Sequence, residues 1–486
     1  MSSEIMTERE MQALVAVLAK IVGPANVLDR TAGRKQITGD MSWLSISAAA
    51  AGNQLSRQDA VVTASTTEQV AEILELANEL RVPVTPFGGG SGVQGAANAD
   101  RGGILLNLRG LNKIRRIDEQ SLTCVVECGY IVAELEVELN KRGLTFTHYP
   151  ASAEWATVGG SLAARGSGVL STRYGNIQDH VLSIELVLPN GQVIATPQVP
   201  KHGVGPELTQ LLIGSEGTLG VITAVTVKLR KLPAARLFST FTFPTVSAGI
   251  EAGRRIMTQN LRPSVMRLYD EHAATHSLER AVQMGLSDVT MVMMFEGDFE
   301  SVARAECDEA TMICKGLGGY DLGSKPGESW WEKRYVFYHP PFAPKLPEIW
   351  CTMDVVADYS HIENVYHKVT QAMENAVDPK WKLSLVTHFS HWYDWGSMIY
   401  PRFKIPVGPT DHGEALELHD KIVHAATMAA LEAGAVINDH HGVGMRLAPY
   451  MQDQFGSAGM SALRAIKRAL DPNNIMCPGK LALEAE

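Results

Sequence analysis

Cysteine is sparse and scattered in this chain. The six (Cys124, Cys128, Cys307, Cys314, Cys351, Cys477) show neither CxxC pairs nor zinc-ligand spacing. That argues against a disulfide-stapled or zinc-ribbon protein and predicts free thiols in a reducing compartment. Long apolar runs are also missing, so no stretch approaches the ~20 residues that cross a bilayer. The acidic, helical residues 1–15 lack the marks of a signal or transit peptide, and a cytoplasmic location is expected. Basic residues are outnumbered, 43 against 53 acidic, giving a net charge of −10. This argues against nucleic acid or an anionic membrane as the main partner.

Glycine, by contrast, is concentrated. Residues 81–97 read RVPVTPFGGGSGVQGAA, with Gly88, Gly89, Gly90, Gly92 and Gly95 in one short loop after an extended run at 82–87. Backbone N–H groups without Cβ neighbours can close around a diphosphate. The loop lacks the Lys-Ser/Thr of a P-loop, and no helix-opening GxGxxG follows a strand there. It reads as a dinucleotide cradle, the alternative being a flexible linker.

The 486 residues suffice for two or three domains. Residues 7–22 have helical spacing, with Thr7 and Glu10 as a capping box. A strand at 59–65, a helix at 70–80 capped by Thr66-Thr67-Glu68, and strands at 104–108 and 122–127 surround the glycine loop. A helix over 131–142 ends at Gly143. In the second block, 149–191, Gly159-Gly160 opens a small-residue helix at 161–165. A strand at 184–188 then turns at Pro189-Asn190-Gly191 and returns at 192–195. The third block breaks at Gly214, Gly217 and Gly220 before a strand at 221–229. Beyond Pro233, strands at 238–243, 289–295 and 350–356 alternate with helices at 246–259 and 300–316, the pattern of an α+β unit with an antiparallel sheet. A basic amphipathic helix at 460–470 precedes CPGKL, read as an extended anchor.

These blocks resemble, in order and spacing, the vanillyl-alcohol-oxidase/p-cresol-methylhydroxylase flavoprotein superfamily. The resemblance is carried by the loop at 88–92, TVGGSLAARGSG (157–168), RYGNIQDHVLSIELVLPNG (173–191), GSEGTLGVIT (214–223) and LDPNNIMCPGKL (470–481). RYGNIQD, RLYD (267–270) and HHGVG (440–444) look most like its alkyldihydroxyacetonephosphate synthase branch. The implied fold class is α+β: a two-lobed FAD-binding PCMH-type domain at 56–233, and an α+β cap domain with a large antiparallel sheet at 234–455. An N-terminal helical segment (1–55) precedes them, and a C-terminal segment (456–486) returns to the FAD domain.

The resemblance further implies FAD, dissociable because the first loop holds no His or Cys for attachment. Pro86, Phe87, Gly88, Gly89, Gly90, Ser91 and Gly92 would take its pyrophosphate. Ala151, Ser152, Thr157, Gly160, Ala164, Ser167, Glu216, Gly220, Val221 and Ile222 would line its remaining length. The implied activity is oxidation of a hydroxyl-bearing substrate, a 2-hydroxy acid or an alcohol, by hydride transfer to the flavin with a His base. Oxygen or an electron-acceptor partner would take the electrons onward. The alternative is the non-redox, ether-forming transferase chemistry of the synthase branch. A homodimer through the cap domain is expected from relatives.

His440 and His441 are the sharpest catalytic candidates, because an imidazole can take a hydroxyl proton. They follow a strand-like run at 433–437, so one of the pair is expected to face the flavin and the other to be structural. Asp439 stands where the synthase branch has a third His; it can orient His440 or raise its basicity. Arg267 matches a family arginine near the substrate, able to grip an anion; the alternative is an ion pair with Asp270. Tyr400 closes HFSHWYDWGSMIY, the segment that carries the family's active-site tyrosine, with Tyr393 the weaker competitor for that role. His388 and His391, three apart on one strand, are expected on opposite faces, and no metal site is expected. The aromatic stretch from Trp330 to Trp350 is read as a loop. It is either packing on the cap or a hydrophobic wall for substrate.

Overall fold

The computed structural model describes residues 6–335 and 347–484. Three sheets organise it. The first has the order Val27–Asp29, Ala60–Thr63, Ile104–Asn107, Val84–Phe87, its last three strands parallel. The helix Thr67–Leu80 crosses over between Ala60–Thr63 and Val84–Phe87. Its N-terminus is fixed by the Thr66 hydroxyl accepting from the Gln69 N–H. It buries Val70, Ile73, Leu74 and Ala77, a helical stripe with each large side chain contributing about 1.5–3 kcal/mol. The glycine loop starts where Val84–Phe87 ends, at the carboxyl edge of a parallel sheet.

The second sheet is antiparallel, in the order Ile114–Asp118, Thr123–Glu127, Val221–Lys228, Val181–Val187, Val193–Ala195. The third is the large antiparallel sheet. Its order is Tyr320–Gly323, Ala235–Phe243, Val289–Gly297, Val265–Tyr269, Ser384–Trp392, Gly396–Ile405, Ile349–Thr352, with Val355–Asp358 also on Gly396–Ile405. One face packs Leu268, Phe389, Ile399 and Phe403 against the helices Val246–Thr258, Ile362–Ala376 and His412–Glu432. Alternate residues on the other face look into the cavity described below. The C-terminal segment returns to the first sheet, where Met476 bridges Val84 in parallel.

Four expectations are corrected. The strand at 350–356 is two strands, interrupted at Met353 and Asp354 because the Asp354 carboxylate is drawn off to serve as an acceptor for backbone N–H groups. The run at 433–437 contributes only the bridge Val436–Val356, and His440 and His441 sit in a turn. CPGKL is not extended; it closes in a 3-10 turn at Lys480–Ala482. Trp330 and Trp331 lie on the helix Lys325–Lys333 rather than in a loop. Phe337, Tyr338 and Phe342 lie outside the described residues.

Candidate active site

A cavity of about 710 Å³ lies between the glycine-rich loops and the open face of the large sheet. Every residue expected to hold the cofactor, from the 86–92 loop through Ile222, is on its wall. So are His440, His441, Tyr400 and Arg267. The volume sits in the upper part of the range for cofactor and ligand sites.

The walls fit a dinucleotide. Among the described residues, no acceptor takes the backbone N–H of Gly88, Gly89, Gly90 or Gly92. Four unspent donors beside one another form an anion-binding concavity. The loop is pressed against 155–157, and a Cβ on Gly89 would collide with the Trp155 carbonyl. Gly89→Ala is therefore expected to displace the loop. The purified variant should be colourless, or hold less than a tenth of the wild-type flavin, when bound flavin is quantified by absorbance after denaturation.

Opposite the cradle, the turn 438–444 carries the two imidazoles. Asp354, at 1 % side-chain exposure, is its anchor. Its Oδ2 accepts the N–H groups of Asp439 (3.2 Å), His440 (2.7 Å) and His441 (3.0 Å). The same carboxylate meets His441 Nδ1 at 2.8 Å and His440 Nδ1 at 3.1 Å, as charge contacts. Asp439 Oδ2 accepts from His440 Nδ1 (3.0 Å) and lies 2.9 Å from His391 Nδ1. Its Oδ1 accepts the Tyr393 hydroxyl at 2.6 Å, which in turn accepts from Asn176 at 3.1 Å. The turn is therefore set by a polar network reaching both halves of the chain.

This network divides the two histidines. Burial would lower His440, but contact with both Asp354 and Asp439 overcomes it and raises the imidazole to about 9. Burial lowers His441, Asp354 offsets only part of that, and the neighbouring His440 cation adds to the lowering. At neutral pH His440 is a cation and His441 is neutral. Both line the cavity, with ring centroids 4.2 Å apart, so the expectation of one facing and one structural His is corrected. A turn, unlike a strand, does not alternate its side chains.

Tyr400 OH lies 3.4 Å from His441 Nε2, and burial raises the phenol to about 12, so it stays protonated. Tyr400 pairs with His388 across the sheet, and their rings stack at 4.7 Å. His391 joins His388 on the cavity wall, contrary to the opposite-face expectation. It occupies a bulge between Ser390 and Trp392 with φ 51°, which re-aims its side chain. His391, Asp439 and His440 bring ligand atoms within 4.8 Å of one another, as do Asp354, His440 and His441. Either triad can hold a divalent cation in exchange for the His440 proton.

Arg267 makes no ion pair with Asp270, which instead caps the following helix through the Ala273 N–H. Its guanidinium lies 5.4 Å over the Trp330 ring. Trp330 and Trp350 line the cavity. Glu216, expected against the cofactor, does line it, but its carboxylate also accepts the N–H groups of Val443 and Gly444, the latter at 2.8 Å. Burial raises this carboxyl to about 7, the two N–H donors opposing.

Asp354 was missed by sequence reasoning. Its signal was an acidic residue inside an apolar strand-like run, where Asp is disfavoured.

Comparison with known proteins agrees with this construction. Residues 58–196 match the model described as "FAD binding domain", and residues 232–481 that described as "FAD linked oxidases, C-terminal domain". The chain belongs to the FAD-linked oxidases. It is 28% identical to an alkyldihydroxyacetonephosphate synthase of Trypanosoma brucei brucei over 454 residues, covering 87% of this chain and 73% of the relative. It is also 28% identical to the glycolate oxidase subunit GlcD of Bacillus subtilis (strain 168) over 473 residues, covering 96% and 95%. A solved alkyldihydroxyacetonephosphate synthase superposes with a TM-score of 0.80 at 23% identity, over 98% of this chain and 87% of that one. This FAD-linked oxidase thus has the vanillyl-alcohol-oxidase/p-cresol-methylhydroxylase fold, binds FAD and is an oxidoreductase. Among the described residues no helix is long and apolar enough to cross a membrane.

Proposed function

We propose that this FAD-linked oxidase oxidises the carbinol carbon of a small anionic hydroxy compound, a 2-hydroxy acid being the simplest, with His441 as the base. The observation that carries the reading is a pair of adjacent imidazoles, both on the cavity wall opposite the glycine cradle and both held by the buried Asp354 carboxylate. FAD bound on the 86–92 loop supplies the two-electron acceptor. Neutral His441 holds Nε2 3.4 Å from the Tyr400 hydroxyl, where it can take the substrate's hydroxyl proton. Cationic His440, 4.2 Å away, favours the oxygen's developing negative charge. Tyr400, still a phenol, can donate to the same oxygen. Arg267 supplies the charge for a substrate carboxylate.

The test is anaerobic mixing of the yellow protein with 2-hydroxy acids, aryl alcohols and acyl-dihydroxyacetone phosphate. Loss of the flavin band with hydroxy acids is expected. Its return in air marks an oxidase, and its return only with an artificial acceptor marks a dehydrogenase. Exchange of the acyl chain with no lasting bleaching by any hydroxy compound would overturn the proposal in favour of ether-forming chemistry.

A further inference from the structure

The large sheet places its charges in rows. Tyr269, His388 and Tyr400 lie opposite one another on three adjacent strands. Two residues along, in one direction, Arg402 pairs with Val386, and two further on Lys404 pairs with Ser384. Arg267 is two residues from Tyr269 in the other direction, because the strands run antiparallel and Leu268 pairs with Phe389. Each step is about 7 Å along the strand. Arg267 and Arg402 therefore flank the neutral His388–Tyr400 row on both sides, and all four line the cavity.

Neither arginine has a carboxylate partner among the described residues. Arg267 only stacks on Trp330. Arg402 uses one of its five N–H donors, toward Ser277 Oγ at 2.8 Å. Arg280, on the same helical segment as Ser277, also lines the cavity and has no acid partner among the described residues. The outermost cation, Lys404, is by contrast neutralised by Glu348 at 2.7 Å. The acids nearest the reacting groups, Asp354 and Asp439, stand behind the histidines and off the cavity wall. Burial also lowers Arg402, so an anion beside it would relieve an uncompensated cation. In a chain of net charge −10, Arg267, Arg280 and Arg402, without an acid partner among the described residues, face one cavity.

We infer that the cavity selects a dianion. One carboxylate engages Arg267, and a second anionic group, carboxylate or phosphate, engages Arg402 and Arg280 on the far side of the His388–Tyr400 row. The inference rests on the proposed oxidation only for the hydroxyl between the two anions; the paired anion sites stand on geometry alone.

Binding tests it without turnover. Glutarate, valerate and 3-phosphonopropionate, which carry no hydroxyl, are titrated into the holoenzyme by calorimetry. Glutarate or 3-phosphonopropionate is expected to bind at least 30-fold more tightly than valerate, and whichever binds more tightly identifies the distal anion. Arg402→Met should remove that preference while changing valerate affinity less than threefold, and Arg402→Lys should restore part of it. Valerate binding as tightly as both dianions to the wild type overturns the inference, as does an Arg402→Met variant that weakens all three alike. The same holoenzyme is then mixed anaerobically with 2-hydroxyglutarate and 2-hydroxyvalerate. A dianion preference in binding with no bleaching by either sinks the oxidation and leaves the anion sites standing. Equal bleaching by both, with no binding preference, sinks the anion sites alone.

Discussion

His441→Asn is expected to lower kcat/KM by about 10²–10⁴, the usual worth of a positioned base, with bound FAD unchanged. The expectation follows from which imidazole is free to accept. His440 holds its proton to about 9 because it contacts two carboxylates; His441 shares one of them and sits beside a cation, so it is neutral below its ordinary range. The wild-type profile of kcat/KM should therefore rise with pH as His441 loses its proton below 6.5, and fall again as His440 loses its own near 9. In His441→Asn the acid limb should disappear and the alkaline limb persist. A loss smaller than tenfold, or an acid limb that survives the substitution, would remove His441 from the role.

Asp354→Asn should act on the other limb. The carboxylate accepts three successive backbone N–H groups and also faces both ring Nδ1 atoms. An amide keeps the shape but brings an N–H₂ group toward groups that need an acceptor, and it carries no charge to hold the His440 proton. The alkaline limb should move down from about 9 toward the ordinary imidazole value, and kcat/KM should fall by about 10–100-fold, as for other residues that orient a catalytic ligand. Leaving one buried donor unmatched also costs about 1–3 kcal/mol of stability, read as a lower denaturation midpoint. A limb that stays near 9 in this variant would show that Asp439 alone holds the proton.

The sequence made the local chemistry legible and the long-range pairing opaque. The helix Thr67–Leu80 announced itself through its cap and apolar stripe, and the glycine loop through composition, because both depend on neighbours in the chain. Asp354 read as mid-strand because the N–H groups that draw it off come from residues 439–441, more than 80 positions later. His391 was assigned the wrong face because a bulge, set by pairing with Gly396–Ile405, resets the alternation. Arg402 and Arg280 carried no motif at all. The significance of Arg402 arises only once strand register places it two residues from Tyr400, and that of Arg280 once its helical segment is set against the same cavity.

Glu216 links the two halves at one point. It comes from the glycine-rich third block, adopts φ 49°, and clasps the N–H groups of Val443 and Gly444. A Cβ on Gly442 would strike that carboxylate. Hybrids assembled by joining the front of one relative to the back of another will therefore misplace the proton acceptor even when each piece folds, unless position 216 and the turn at 438–444 are transplanted as a matched set.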